Sequence, residues 1–353
     1  MPMQAWHIHH KTDLRSDTSP LRRVVLPVPQ PGPGQVLIKI SCCGICHTEL
    51  DEIEGRTPPP RYPVIPGHQA VGAVIQTGSA VTRCKIGDRV GVAWIFSTCG
   101  QCEYCMKGLE NLCPDFLATG RDADGGYAEY MVAPESSVAF IPDAFTDTEA
   151  APLLCAGAIG YRSLMLTGLT DGQRLGLTGF GASAHLVLKM VRHLHPNSPV
   201  FVFARSSEEQ AFALSLGASW AGDTRDAPPQ DLHALIDTTP AWTPIVTSLR
   251  HLAPGGRLVI NAIRKENTDR DVLLELDYAS HLWMEKEIKS VANITTADVE
   301  EFLQLASVIP IHPRVETYPF EKANEALVDL KNKHILGAKV LIITAQELRN
   351  IDA

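Results

Sequence analysis

The chain has 353 residues, 45% of them hydrophobic and 20% charged, and a formal net charge of -9. That is long enough for two domains with a core each, and acids and bases are mixed along it, which excludes the basic face that nucleic acid requires. The opening MPMQAWHIHHKTDLR has no basic segment followed by an apolar one, and the longest apolar run, AAPLLCAGAIGY from Ala150, falls short of the roughly 20 residues that cross a bilayer. A cytoplasmic protein without a membrane partner is expected.

From Trp6 to about Phe140 the sequence is a succession of short strand-like runs, VLIKI (36–40), VGAVIQ (71–76) and RVGVA (89–93) among them. Clusters such as PQPGPGQ and RTPPPRYP interrupt them, as in a β-rich domain built from turns and bulges. After about Gly157 the rhythm changes. RLGLTG (174–179) predicts a strand, and Leu186, Val187, Met190, Val191 and Leu194 repeat at helical spacing. VFVFA (200–204) predicts a strand, SSEEQAFALSLGA a helix ending at Gly217, and LIDTT and GRLVIN two strands with TPIVTSLRHL between them. This alternation indicates a doubly wound parallel sheet. It fades near Val291, and the tail, with helices in TTADVEEFLQLAS and around Glu321 to Leu330 and a last strand AKVLIIT, is too short for its own core. The tail is therefore expected to join the first domain, giving 1–156 with 293–353 as one domain and 157–292 as the other.

Nine cysteines is an odd number, and four crowd into TCGQCEYCMKGLENLC as Cys99, Cys102, Cys105 and Cys113. Thiolates at these spacings can close a four-sulfur zinc shell with no open position, a structural site; an iron–sulfur cluster uses similar short spacings and is the alternative. Cys46 in CGICHTEL, His68 in PGHQ and Cys155 in PLLCAGAIGY are candidates for a second, open site, since two thiolates and one imidazole leave a position for water or substrate. Taken singly, each has a plain alternative as a buried packing or loop residue. Cys42 and Cys43 are read as packing residues of the strand before Cys46.

Between a strand and a helix lies GLTGFGASAHL, where small residues let the backbone approach a pyrophosphate at a helix N-terminus. Gly176, Thr178, Gly179, Phe180 and Gly181 form this candidate turn, with Thr178 where the middle glycine of G-x-G-x-x-G is usual. Ala204 stands where an acid would bind the ribose hydroxyls of NAD, and Arg205 and Ser206 follow, a composition that favours the 2′-phosphate of NADP over NAD. The alternative for Arg205 is stacking on adenine.

Taken in order, CGICHT, PGHQAVG, GDRVGV, the four-cysteine lobe, GGYAEY, PLLCAG and the glycine turn make the sequence resemble the zinc-dependent alcohol dehydrogenases of the medium-chain dehydrogenase/reductase family over essentially its whole length. The resemblance implies a GroES-like catalytic domain with an inserted Rossmann domain. It implies two zinc ions per chain, a catalytic one on Cys46, His68 and Cys155 and a structural one on Cys99, Cys102, Cys105 and Cys113. Thr48 matches the hydroxyl that takes the substrate proton, Glu49 a carboxylate orienting the His68 ring, and His47 a position facing the coenzyme pyrophosphate. Lys339 lies where relatives often have an arginine toward the coenzyme. Trp94 resembles a bulky pocket residue and suits small primary alcohols, with a core tryptophan as the alternative.

Three departures stand out. Gln69 replaces a common glutamate, Asp51 stands in place of the histidine that ends the proton relay, so that the relay is expected to end through Asp51 or water, and Thr296 replaces a frequent arginine. The expected protein is an alcohol dehydrogenase or aldehyde reductase using NAD or NADP, a dimer or tetramer by family resemblance. The alternatives are a polyol or secondary-alcohol dehydrogenase of the same fold, or a non-catalytic zinc- and nucleotide-binding redox sensor.

Overall fold

The structure is a computed structural model and describes residues 2–309, 311–332 and 337–343. The chain forms two compact units. One holds the chain up to Cys155 together with Thr295–Ser307 and the chain from His312; the other holds Ala156–Ile294 and Val308–Ile311.

The first unit is built on a seven-stranded sheet. Its order is Val315–Pro319, Ala338–Ile342, Gln35–Ile45, Ala70–Thr77, Arg89–Val92 and Val138–Phe140, and Tyr130–Pro134 also pairs with Gln35–Ile45. The tail strand Ala338–Ile342 lies antiparallel to Gln35–Ile45, with Lys339 opposite Ile45 and Leu341 opposite Cys43. That pairing ties the C-terminal segment to the strand that leads into Cys46. Ile38, Ile40, Cys43, Val74, Val90, Tyr127 and Phe320 are buried in one apolar cluster, so Cys43 serves as core; Cys42, beside it in the strand, is buried as well. The helix Thr296–Val308 begins with a reciprocal cap: the Thr295 hydroxyl accepts the Asp298 N–H at 3.1 Å, and the Asp298 carboxylate accepts the Thr295 N–H at 2.7 Å.

In the second unit six parallel strands run in the order Trp220–Gly222, Val200–Phe203, Leu175–Thr178, Leu232–Asp237, Leu252–Ile260 and Glu287–Ser290. Numbered along the chain, this is the 3-2-1-4-5-6 order of a doubly wound sheet. Leu175–Thr178 and Val200–Phe203 are buried at every position, as expected of strands covered on both faces. The helix Ala184–Leu194 buries Leu186, Val187, Leu188, Met190 and Val191. Leu194, expected on that face, is 36% exposed at the last turn, and Leu188 is buried instead.

Two strands of this sheet escaped the sequence reading. Trp220–Gly222 has three residues, and Glu287–Ser290 is exposed throughout, so neither carries the alternation or apolar run that marks a strand. The helical stretch Asp147–Thr167 is a second difference. It is 21 residues long and, by length and composition, apolar enough to cross a membrane, whereas the uninterrupted apolar run within it had looked too short. Two thirds of its apolar window is buried inside the protein (67%), which makes it a core helix here.

Candidate active site

Cys46 ends the strand Gln35–Ile45 and caps the helix His47–Ile53. His68 precedes the strand Ala70–Thr77 and follows Gly67, whose φ of +102° and position against the Tyr127 ring, 2.4 Å from where a Cβ would sit, admit no side chain. Cys155 lies in the wide π turn Leu153–Gly157, directly after a helix that contains Pro152. Proline has no N–H to give the helical ladder, and the wider turn re-aims the following side chains.

These three elements bring the ligand atoms of Cys46, His68 and Cys155 within 4.8 Å of one another. The two sulfurs are 3.9 Å apart, and His68 Nε2 is 3.4 Å from the Cys155 sulfur. Zinc bonds of about 2.3 Å to sulfur and about 2.0 Å to nitrogen place tetrahedral neighbours about 3.8 Å apart for two sulfurs and about 3.5 Å apart for sulfur and nitrogen. The donor set and its spacing therefore suit zinc, with a fourth position left for another ligand.

Glu49 joins two of these residues. Its Oε1 is 2.6 Å from His68 Nδ1, and its Oε2 accepts the Cys46 N–H at 2.8 Å. The bond at Nδ1 leaves Nε2 toward the sulfurs. Thr48 Oγ1 lies 3.6 Å from the Cys46 sulfur. His47, the first residue of the helix, is exposed.

The charges of the trio are interlocked. The Cys46 thiol is held well below its usual range, first by its hydrogen bond with Cys155 and against the effect of burial, while the same bond and then burial hold Cys155 well above it. Burial opposes the charged form of His68, but Glu49 and the Cys46 sulfur more than offset it and keep its pKa raised. A cation bound there has to displace protons from Cys155 and His68.

The second cluster is the cysteine lobe. Sulfur separations are 3.5 Å for Cys102 with Cys105, 3.5 Å for Cys113 with Cys99, and 3.9 Å for Cys99 with Cys105. All four sulfurs lie within 4.8 Å of one another, again close to tetrahedral edges. The Cys102 N–H donates to the Cys99 sulfur at 3.3 Å, and backbone donors of this kind lower the Cys99 thiol to about 7, Gln101 contributing most and Cys102 next. The Thr296 N–H is bound by Glu110 of this lobe at 2.9 Å.

Other expected site residues stand as follows. The ring of Trp94 meets that of His68 edge-on, centroids 5.1 Å apart, and is 8% exposed. Asp51 is buried, and one of its carboxylate oxygens is paired with Arg56. Gln69 lies with its carboxamide oxygen 2.2 Å from where a Cβ on Gly44 would be, so its side chain covers the strand backbone. Lys339, expected toward a coenzyme, is instead 1% exposed, with its ammonium 2.8 Å from Glu316 Oε2 and hydrogen-bonded to Tyr318. The cation is drawn inward because Glu316 neutralises it and the Tyr318 ring lies 4.3 Å beneath it.

In the second unit, Gly176 lies within its strand and leaves room for Leu232 and Leu235, while Gly179 turns the chain at φ +74° and Gly181 faces open space. Thr178 is fully buried, and Phe180 packs against Phe212, centroids 5.7 Å apart. Ala204 is buried at the end of its strand and Arg205 is exposed beside it. The Ser206 oxygen accepts the Glu209 N–H at 3.1 Å as a helix cap, which leaves its O–H able to donate.

Comparison with known proteins agrees with this architecture. The family profile of the alcohol dehydrogenase GroES-like domain matches residues 32–143. Across 346 residues, 97% of this chain and 97% of the relative, the sequence is 43% identical to the "Probable alcohol dehydrogenase AdhA" of Mycobacterium tuberculosis. The chain belongs to the zinc-dependent alcohol dehydrogenases of the medium-chain dehydrogenase/reductase family. It is an enzyme that interconverts an alcohol and its carbonyl counterpart, with a GroES-like domain and a Rossmann domain. An alcohol dehydrogenase of Geobacillus stearothermophilus is 34% identical to it over 317 residues, 87% of this chain and 91% of the relative. The solved cinnamyl alcohol dehydrogenase SbCAD4 of Sorghum bicolor is 27% identical and superposes with a TM-score of 0.81 over 97% of this chain and 98% of that one.

One buried acid of this dehydrogenase was missed by the sequence reading. Glu52, one helical turn beyond Thr48, is 0% exposed, and neither carboxyl oxygen has a hydrogen-bond partner within the described protein. Burial first, then the charge of Glu49, holds its pKa well above the carboxylate range. Its i+3 spacing from Glu49 was the available signal.

Glu49→Gln removes the charge that orients His68 while keeping the shape of the side chain. Zinc affinity of the Cys46 site, measured by chelator competition, is expected to fall about 10- to 100-fold. Unchanged affinity would show that Glu49 does not support the ligand.

Proposed function

We propose that this alcohol dehydrogenase holds two zinc ions per chain and uses NAD(P), with NADP preferred, to interconvert small primary alcohols and unbranched aldehydes. The observation that carries the reading is the convergence of Cys46, His68 and Cys155, with the Thr48 hydroxyl beside the Cys46 sulfur. Cys46, His68 and Cys155 would hold the catalytic ion, and Cys99, Cys102, Cys105 and Cys113 the structural one. At the first site zinc, when bound, would supply a Lewis acid that could acidify an alcohol and polarise a carbonyl. The nicotinamide ring supplies the hydride acceptor or donor.

The protein's own groups do the rest. Thr48 Oγ1 accepts the proton of the alcohol and hands it on; with one Asp51 oxygen paired with Arg56, water is assigned as the exit. Glu49 fixes the His68 tautomer. Trp94, against the His68 ring, limits the space near the ligands and favours unbranched substrates. His47 is assigned to the coenzyme pyrophosphate. Gly179 and Gly181 allow close backbone approach to it, and Arg205 with the Ser206 hydroxyl faces the 2′-phosphate. Lys339 is withdrawn from this set because its charge is matched by Glu316.

Nine free cysteines fit a reducing cytoplasm. A homo-oligomer, dimer or tetramer, is proposed from the exposed edge strand Glu287–Ser290 and the nearby exposed Tyr278, Trp283, Met284 and Ile288. Light scattering of the purified protein is expected to give two or four chains per particle, and a monomer at micromolar concentration would refute it.

Metal analysis is expected to return two zincs per chain and one in Cys46→Ser, with turnover lost and the lobe still loaded. One zinc in the parent, or an active Cys46→Ser enzyme, would remove the two-site reading. A matrix of alcohols against both coenzymes is expected to rank small primary alcohols first and NADP above NAD. Arg205→Ala should lower kcat/KM with NADP by about 10-fold or more while changing NAD little. Higher parent efficiency with NAD would reverse the coenzyme assignment.

A further inference from the structure

A buried network lies directly under the glycine turn, and its most distant member, Lys265, belongs to no motif of the sequence. Asp237, at the end of the strand next to Leu175–Thr178, is 0% exposed. Its Oδ1 accepts the Thr178 hydroxyl at 2.6 Å and the Thr239 hydroxyl at 2.8 Å. Its Oδ2 is paired with the ammonium of Lys265, whose side chain is 8% exposed. That ammonium also donates to the carbonyls of Thr239, at 2.7 Å, and Ala241, at 3.2 Å. All three lysine donors are thus used.

The same segment grips Thr178 from its other side. The Thr178 carbonyl accepts the N–H of Thr238 at 3.0 Å and its hydroxyl at 2.9 Å. Immediately beyond, a Cβ on Gly179 would lie 2.9 Å from Thr238 Oγ1 and 3.0 Å from Thr239 Cγ2, so the turn rests on this segment without a gap. Where a glycine would stand, its hydrogen could only be packed against. A threonine hydroxyl can be bonded, and that bond selects the rotamer that keeps the β-branched side chain out of the turn.

We propose that Asp237 and Lys265 are positioning residues for coenzyme binding, acting through the hydroxyl of Thr178 to fix the shape of the glycine turn. Lys265 pairs with the Asp237 carboxylate and orients it in a buried place, and Asp237 holds Thr178. This rests on the reading of the turn as the coenzyme site.

The test is a cycle of coenzyme affinities on the zinc-loaded enzyme, with Kd for NADP and NAD read by fluorescence titration and thermal midpoints recorded alongside. Thr178→Val, which keeps the shape but loses the hydroxyl, is expected to raise Kd about tenfold, the scale of one lost charge-assisted hydrogen bond. Thr178→Ser, which keeps the hydroxyl, should stay within about twofold of the parent on the same reasoning. Lys265→Met is expected to raise Kd as well, and the double variant no further than the larger single change, because both act through one bond. Should Lys265→Met fail to fold with its partner charge stranded, Asp237→Asn combined with Lys265→Met takes its place in the cycle.

Multiplying effects in the double variant, or a Thr178→Val enzyme that binds coenzyme like the parent, would overturn the positioning role. A merely structural pair would lower the thermal midpoint without separating serine from valine at position 178. A parent enzyme that binds neither coenzyme overturns the coenzyme reading and this proposal with it, whereas binding indifferent to Thr178→Val overturns the proposal alone.

Discussion

The first unit turns on the two oxygens of one carboxylate. Glu49 accepts the N–H of Cys46 with one and holds Nδ1 of His68 with the other, so the start of a helix and the orientation of a ring are set by the same group. A shorter or neutral side chain could do either task alone. The pair of bonds demands a charged acid three residues after Cys46, with no exposure to water that would let the side chain turn away. The backbone around it is correspondingly constrained, with Gly67 pressed against Tyr127 and Gly44 covered by Gln69.

Cys155 reaches the same point by a different device. Its helix is apolar and deeply buried, and a regular helix would present a fixed face to the sheet. Pro152 breaks the ladder and the π turn follows, so the cysteine is aimed by a backbone irregularity, while Cys46 and His68 are aimed by a carboxylate. Three side chains that could ligate a metal, from a strand end, a loop and a wide helical turn, then converge to within 4.8 Å. The cysteine lobe needs no such support: its ligands lie within 15 residues of chain, Cys99 to Cys113, and its own backbone N–H groups point at the sulfurs.

That contrast explains what could be read from the sequence. Local structure was legible: the crowding of the four lobe cysteines, the alternation of strands and helices, the capped tail helix. Partnerships across long separations were not. Nothing near Lys339 announces that Glu316 and Tyr318 will hold its charge inside the unit, and nothing near Asp51 except proximity in the chain announces its pairing with Arg56. Thr178 could be recognised as a departure from glycine, but its meaning depends on Asp237, 59 positions away. The short outer strands Trp220–Gly222 and Glu287–Ser290 were invisible because edge strands are half solvated and their pattern is set by neighbours.

Three buried acids show how far environment outweighs residue type. Glu49 and Asp237 have both oxygens bonded, the first to an imidazole and an amide, the second to two hydroxyls and an ammonium. Glu52, with neither oxygen bonded among the described residues and Glu49 one turn away, has its pKa raised, by burial first. A buried carboxyl is thus bonded through both oxygens where it holds its neighbours, His68 and Cys46 in one unit and Thr178 in the other, and has its pKa raised where it is buried beside another acid.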